Sequence, residues 1–180
     1  MGIPDKECTI FSTGMPVCTY PVPMNAFSYL LLFNSAITGF LFFYSFRFRR
    51  TPGSRSFSLL MLAMTIYSFG YAFEISGDNY DEQRAWLAFE YIGISFIPAL
   101  WLIFILRYLR LQEFTTTRWI ILYLCISLMT LFLHFTNEFH HLFYKKIEFS
   151  TAGPFPVLLL TKGPWYWIHM IWFNLVVLIS

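Results

Sequence analysis

The sequence predicts an all-α fold, a polytopic bundle of membrane-spanning helices, and two observations carry this prediction. Of the 180 residues, 57% are hydrophobic and only 12% are charged, whereas about a quarter of the residues of a soluble domain are charged. The apolar residues also gather in runs close to the ~20 residues that a helix needs to cross the hydrocarbon core. The net charge of +2 is small and dispersed, so nucleic acid is not an expected partner.

Residues 1–24 are predicted to form an extracytoplasmic segment that precedes the bundle. Asp5, Lys6 and Glu7 stand before any long apolar run, which is unlike a secretory signal peptide. Cys8 and Cys18 also lie in this segment. An extracytoplasmic location would allow a disulfide between them, and two free thiols are the equally open alternative.

The bundle is predicted over residues 25–180 and contains five apolar runs. Pro98 in the third run predicts a kink, because proline removes a backbone hydrogen bond from a helix. The fifth run is short, about 24 Å of helix at 1.5 Å per residue, and no charged residue follows it. We therefore expect the chain to be a truncated piece of a larger bundle. The predicted helices cover residues 25–46, 57–75, 85–108, 119–135 and 165–180.

The distribution of basic residues predicts the orientation of the bundle. Two linkers are rich in arginine, so the positive-inside rule places them in the cytoplasm and the N-terminus outside. The segment 136–164 then becomes the largest outer loop, and its extended runs on either side of Ala152, Gly153 and Pro154 predict a short β-hairpin. The linker arginines are Arg47, Arg49, Arg50, Arg55, Arg107, Arg110 and Arg118, against Lys6, Arg84, Lys145, Lys146 and Lys162 on the other side.

Several polar residues are predicted at membrane depth, all in the outer half. An ionisable side chain inside a span is costly and is by default a functional candidate. The pattern predicts an outward-facing cavity, although Glu74 and Glu90 could instead pair with Arg84 or be protonated. The ligand-sensing candidates are Glu74, Glu90, His134, Asn137, His141 and His169.

The stretch "HFTNEFHHLFYKK" ends the fourth run and carries two adjacent histidines. The neighbouring aromatic residues suit an interfacial anchor, while ligand contact and metal ligation stay open. Side chains of adjacent helical residues point about 100° apart, so His140 and His141 would need a third ligand to share a metal. Phosphate loops, HExxH, CxxC and GxSxG are not found in the sequence, so no metal site, cofactor or catalytic residue is assigned.

Four stretches together resemble the N-terminal seven-transmembrane region of sensor histidine kinases, which also precedes some diguanylate cyclases. They are "RRTPGSRSFSLLMLAMTIYSFGYAFEISGDN", "RAWLAFEYIGISFIPALWL", "TNEFHHLFY" and "TKGPWYWIH". The resemblance implies five of seven helices of a signal-sensing input domain in the inner membrane, which is not itself an enzyme. It also implies a lipid bilayer and an unknown small-molecule, lipid or membrane-state signal as partners. A kinase or cyclase transmitter, missing here, would follow downstream, and homodimerisation is an open alternative. The family-pattern positions are Trp86, Tyr91, Pro98, Trp101, His140, Gly163 and Pro164.

Two other functions stay open at this point. In a transporter or carrier fragment, the same polar groups would line a translocation path. In an intramembrane metalloenzyme, His140, His141 and His169 would have to meet.

Overall fold

The computed structural model describes residues 7–10, 16–19, 26–48, 53–150 and 157–180. Within these ranges the protein is mostly helical, with two small antiparallel sheets of two strands each. The helices are α1 (Ala26–Arg47), α2 (Ser54–Glu74), α3 (Tyr80–Ile94), α4 (Ile97–Tyr108), α5 (Thr117–Phe135), α6 (Asn137–His140) and α7 (Pro164–Ile179), and the strands are β1 (Glu7–Ile10), β2 (Pro16–Thr19), β3 (Tyr144–Ser150) and β4 (Val157–Lys162).

Among the residues that the structure describes, four segments are long and apolar enough to cross a membrane, namely Ala26–Arg47, Ser54–Glu74, Tyr80–Tyr108 and Thr117–Phe135. These four helical segments make the chain a multi-pass membrane protein. The helix α7 is apolar but has only 16 residues, fewer than the ~20 that a straight span needs. A fifth span therefore stays a prediction.

The third span consists of two helices in sequence. Its first half, α3, begins earlier than the predicted residue 85, because the Asn79 side chain accepts a hydrogen bond from the Glu82 N–H at 2.9 Å and caps the helix. The second half, α4, begins at Ile97 with Pro98 in its first turn. Proline has no N–H to offer, which costs nothing at the start of a helix. The predicted irregularity at Pro98 is thus a junction between two helices.

Small polar side chains join α1 to α2 along their length. Asn34 Nδ2 donates to Ser68 Oγ at 2.7 Å, and Thr65 Oγ1 donates to Thr38 Oγ1 at 3.0 Å. Such bonds matter in a membrane because lipid is as apolar as leucine and gives helices no hydrophobic reason to associate. We call this set, with the Ser28–Ser76 bond of 2.7 Å, the α1–α2 ladder.

Glycine lies where the backbones of α2 and α3 come into close contact. A Cβ atom on Gly93 would lie 2.3 Å from the Ala63 carbonyl oxygen and 2.9 Å from the Tyr67 nitrogen. Since both contacts are with backbone atoms, no side-chain rotation can relieve them. Glycine at this position lets the two backbones touch.

The predicted hairpin is present as β3 and β4, with Ile147 opposite Leu160 and Phe149 opposite Leu158. It lies over the start of α3, and we call this end of the molecule the hairpin end. The hairpin end has its own apolar core of Leu87, Tyr91, Phe143, Tyr144 and Leu158. A second core, made by α4, α5 and α7, contains Ala99, Leu102, Ile103, Tyr123 and Val176.

The N-terminal strands β1 and β2 form a separate antiparallel pair, in which Cys8 stands opposite Cys18 in the register. The rest of the predicted segment 1–24 lies outside the described residues. So do residues 49–52 and 151–156, which include part of the arginine-rich linker and the predicted hairpin turn.

Candidate functional site

A cavity of about 610 Å³ opens at the hairpin end, between α3 on one side and α5, α6 and β3 on the other. Part of its wall is apolar, formed by Leu87, Ala88, Phe135 and Ile147. Much of the rest is charged or titratable. The residues of this second group include Asp81, Arg84, His134, Glu138, His141, Lys145 and Lys146.

An ion pair crosses the cavity from α3 to α6. It joins Arg84 Nη2 to Glu138 Oε1, and the two side chains are 40% and 61% exposed. Lys146 pairs with Glu148 of the same strand. Among the described residues, Lys145 takes part in no ion pair. The cavity therefore has an apolar wall beside a cation whose charge is available to a ligand.

His134 forms part of the cavity wall and links it to α3. Its ring stacks on the Tyr91 ring with 4.0 Å between centroids and 10° between planes. The Tyr91 hydroxyl in turn hydrogen-bonds the Tyr144 hydroxyl at 2.5 Å. Burial, reinforced by Tyr91, raises the pKa of the Tyr144 phenol, so it stays protonated and uncharged. His134 is thus in direct contact with both α3 and the hairpin.

Asn137 also borders the cavity, but its side-chain amide is hydrogen-bonded to the backbone at the start of the hairpin. Its Oδ1 accepts from the Phe143 N–H at 2.8 Å and from the Tyr144 N–H at 3.0 Å. Its Nδ2 donates to the Tyr144 carbonyl at 3.0 Å. With three buried backbone partners, this side chain fixes the start of β3.

The doubled histidine forms the tight turn between α6 and β3. His140 Nδ1 accepts from the Leu142 N–H at 3.0 Å, and its Nε2 lies 3.0 Å from Thr136 Oγ1. His141 takes a left-handed conformation, with φ of 50°, and lines the cavity. The two adjacent residues therefore have different roles, one in the turn and one at the cavity.

Glu74 and Glu90 lie elsewhere, between α2 and α3. They are 9% and 5% exposed, and their carboxyl groups are close enough to interact with each other. Arg84, which the sequence offered as their partner, is bound to Glu138. These two candidates form a second polar cluster.

His169 lies in a third place, between α5 and α7. Its Nδ1 is 3.4 Å from Thr130 Oγ1, which also accepts from Trp165 Nε1 at 3.2 Å. The structure thus brings His134, Asn137 and His141 to the cavity and leaves His169 apart from it. Within the described ranges, no three His, Cys, Asp or Glu side chains lie close enough to hold a metal ion.

The family-pattern positions lie mainly at helix contacts and helix starts. Trp86 stacks on Phe73 with 4.7 Å between ring centroids, and Trp101 Nε1 donates to Ser180 Oγ at 3.0 Å. A Cβ atom on Gly163 would lie 2.2 Å from the Leu142 carbonyl oxygen. Only glycine therefore fits at this position without a shift of the backbone. Pro164 then begins α7.

Sequence reasoning did not select Arg84, Glu138 or Lys145 as ligand-sensing candidates. Arg84 and Glu138 are 54 positions apart, and Lys145 reaches the cavity because the hairpin folds back over α3. The available signal was the group of charged residues Lys145, Lys146 and Glu148 at the start of the predicted hairpin.

These features define a class, a polytopic helical membrane domain with a polar cavity at one end. The family described as the N-terminal 7TM region of histidine kinase matches residues 30–180. The chain belongs to this family, as its resemblance implied. No curated protein and no solved structure matches the chain.

Proposed function

We propose that this chain is the signal-sensing part of a membrane histidine kinase and that the cavity at the hairpin end binds the signal molecule. The observation that carries the proposal is the cavity itself, because its walls come from α3 on one side and from α5, α6 and β3 on the other. A ligand that favours one spacing of these walls over another shifts the population of the two arrangements. The attached transmitter, two further helices and a homodimer belong to the same proposal.

In this proposal the hairpin end faces outward from the inner membrane. The opposite end carries the described linker arginines Arg47, Arg55, Arg107, Arg110 and Arg118, which the positive-inside rule assigns to the cytoplasm. There Arg107 Nη1 donates to Ser56 Oγ at 2.9 Å and connects the end of α4 to the start of α2. A displacement of α3 and α4 thus has a direct contact through which to reach the cytoplasmic linkers.

The cavity favours a small amphiphile with an anionic group. The apolar wall suits a hydrocarbon part, and Lys145 and Arg84 suit a carboxylate or phosphate. An anion that reaches Arg84 competes with Glu138, which is the contact joining α3 to α6. Ligand binding would then loosen one wall of the cavity from the other.

The binding step is tested with three probes that share one tail, namely decanoate, decanol and decyltrimethylammonium, added to the protein in nanodiscs. We expect decanoate to bind tightest and to lose this advantage in Lys145→Gln. Ala88→Phe, which fills the cavity, should abolish binding of all three, while Ala36→Phe on the exposed face of α1 should not. Equal binding of the three probes, unchanged by Ala88→Phe, would mean that they only partition into lipid.

The signalling step is tested in a histidine kinase that carries this region. Decanoate should change autophosphorylation, and Ala88→Phe should remove this response. A transporter would instead show uptake of the probe by proteoliposomes. The core of α4, α5 and α7, with its aliphatic residues Leu102, Ile103 and Val176, offers a polar solute little to bind and favours the sensor.

A further inference from the structure

The pair of Glu74 and Glu90 is a polar cluster that the cavity does not use. One carboxyl comes from the end of α2 and the other from the C-terminal half of α3, and both residues are more than nine-tenths buried. The two carboxyl groups are close enough to interact with each other. The Oε2 atom of each has no hydrogen-bond partner among the described residues.

A hydrogen bond between two carboxyl groups requires a proton. Ionised carboxylates only accept hydrogen bonds, so a hydrogen bond between the two exists only when one of them is protonated. Two negative charges side by side in an apolar interior would repel each other strongly. Burial of both carboxyl groups at one helix contact therefore favours a shared proton.

No basic side chain is among the groups that interact with the pair in the described part of the chain. The titratable groups that face it are phenols: Tyr67 and Tyr71 from α2, Tyr91 from α3 and Tyr144 from β3. Arg84 is bound to Glu138. The His134 ring stacks on the ring of Tyr91. Uncharged phenols cannot replace a proton as the neutralising charge.

The pair also lies where α2 and α3 are in close contact. A Cβ atom on Gly70 would lie 2.9 Å from Glu90 Cβ and 3.1 Å from Glu90 Cα. Loss of the proton would place two carboxylates at this contact, so the helices would have to separate or admit water. Glu90 directly precedes Tyr91, whose ring stacks on His134 in the cavity wall.

We infer that Glu74 and Glu90 form a proton-binding site in the interior of the bundle, which holds a proton at neutral pH and keeps α2 against α3 while occupied. This site is separate from the cavity and does not rest on the proposed ligand. Its ligand is the proton, and its expected output is a change in the α2–α3 contact.

Infrared spectroscopy of the protein in nanodiscs tests the inference. Isotopic labelling of the glutamate side-chain carboxyl separates its C=O stretch from the lipid ester band. We expect a protonated-carboxyl band at neutral pH in the wild type and in the exposed control Glu138→Gln. The band should shift in Glu74→Gln and in Glu90→Gln, where an amide replaces one carboxyl, and it should disappear in the double variant.

Three results would overturn the inference. They are no labelled band at neutral pH, a band that survives in the double variant, and a band that disappears at constant pH when potassium is replaced by sodium, which would make this a sodium site. The wild-type band needs no variant, so a folding defect in the double variant would leave the first and third results decisive. Failure of decanoate to bind the cavity would change none of these outcomes.

Discussion

The α1–α2 interface and the hairpin end are both held by polar side chains, but one spreads its hydrogen bonds over two long helices and the other concentrates them on one residue. The α1–α2 ladder runs from the Ser28–Ser76 bond through Asn34 and Ser68 to the bond between Thr65 and Thr38. At the hairpin end, Asn137 alone binds three backbone groups.

This difference teaches where the structure tolerates change. A ladder of many weak bonds loses little when one is removed, because its neighbours keep the helices in register. A single buried amide with three partners leaves three unsatisfied groups when it is removed. The predicted ligand cavity adjoins the concentrated arrangement, so substitutions near it should have larger effects than substitutions between α1 and α2.

Asn137→Ala should have the largest effect on stability. Two N–H groups and one carbonyl lose their partners, and at about 1–3 kcal/mol for each buried unsatisfied group the free energy of unfolding should fall by about 3 kcal/mol or more. Asn137→Asp should recover part of the loss, because its oxygens still accept from Phe143 and Tyr144. Circular dichroism during unfolding in mixed micelles measures both.

Asn174→Ala is the matched control, since its Nδ2 makes one exposed bond, to the Met170 carbonyl. It should change the free energy of unfolding by about 0.5 kcal/mol or less. Equal losses in Asn137→Ala and Asn174→Ala would show that the hairpin end is not fastened by one residue.

Gly93→Ala should have the next largest effect. The added Cβ meets two backbone atoms of α2, and overpacking of this kind costs about 1–3 kcal/mol. Gly39→Ala, whose Cβ would lie 3.6 Å from Thr65 Cγ2, should be neutral or stabilising, because glycine inside a helix costs about 0.5–1 kcal/mol relative to alanine. The same unfolding experiment compares the two, and a loss of similar size in both would remove the claim of backbone contact at Gly93.

Ser68→Ala should have a small effect. It removes the bond from Asn34, and interhelical hydrogen bonds in membranes average about 0.6 kcal/mol. A double-mutant cycle of Asn34→Ala and Ser68→Ala should give a coupling energy of that size. A loss above about 2 kcal/mol for Ser68→Ala alone would mean that the ladder also depends on one bond, against the contrast drawn with Asn137.

Glu138→Gln should have the smallest effect on stability, because exposed ion pairs contribute about 0–1 kcal/mol. It releases Arg84, so decanoate should bind more tightly than in the wild type, as measured by titration calorimetry. Arg84→Gln removes the same ion pair with a similar effect on stability and should weaken decanoate binding. If Glu138→Gln and Arg84→Gln changed the affinity for decanoate in the same direction, this ion pair would not be part of the ligand site.

Much of the fold could be predicted from the sequence, because membrane insertion depends on local hydrophobicity. Apolar runs indicate α1, α2 and α5, and the extended runs around residues 152–154 indicate the hairpin. The junction between α3 and α4 was predicted only as a kink, since Pro98 suits the first turn of a new helix as well as an irregularity within one.

The candidate site was less predictable, because its contacts join residues far apart in the chain. The sequence offered Glu74 or Glu90 as the partner of Arg84, but folding places Glu138 there. Asn137 was selected as a ligand contact, but its amide is occupied by the hairpin backbone. Each choice depends on which helices pack together, and hydropathy alone does not encode that.

The junction between α3 and α4 gives the third span a mechanical property of its own. Pro98 brings no N–H to the backbone bonds at this point, and the Ser95 hydroxyl is fully buried there without a hydrogen-bond partner among the described residues. Bending here breaks fewer bonds than bending a continuous helix would. We therefore expect α3 and α4 to stay straight while the span bends at the junction between them. A tilt of α3 at the cavity would then reach Arg107 as a change of angle more than as a sliding movement.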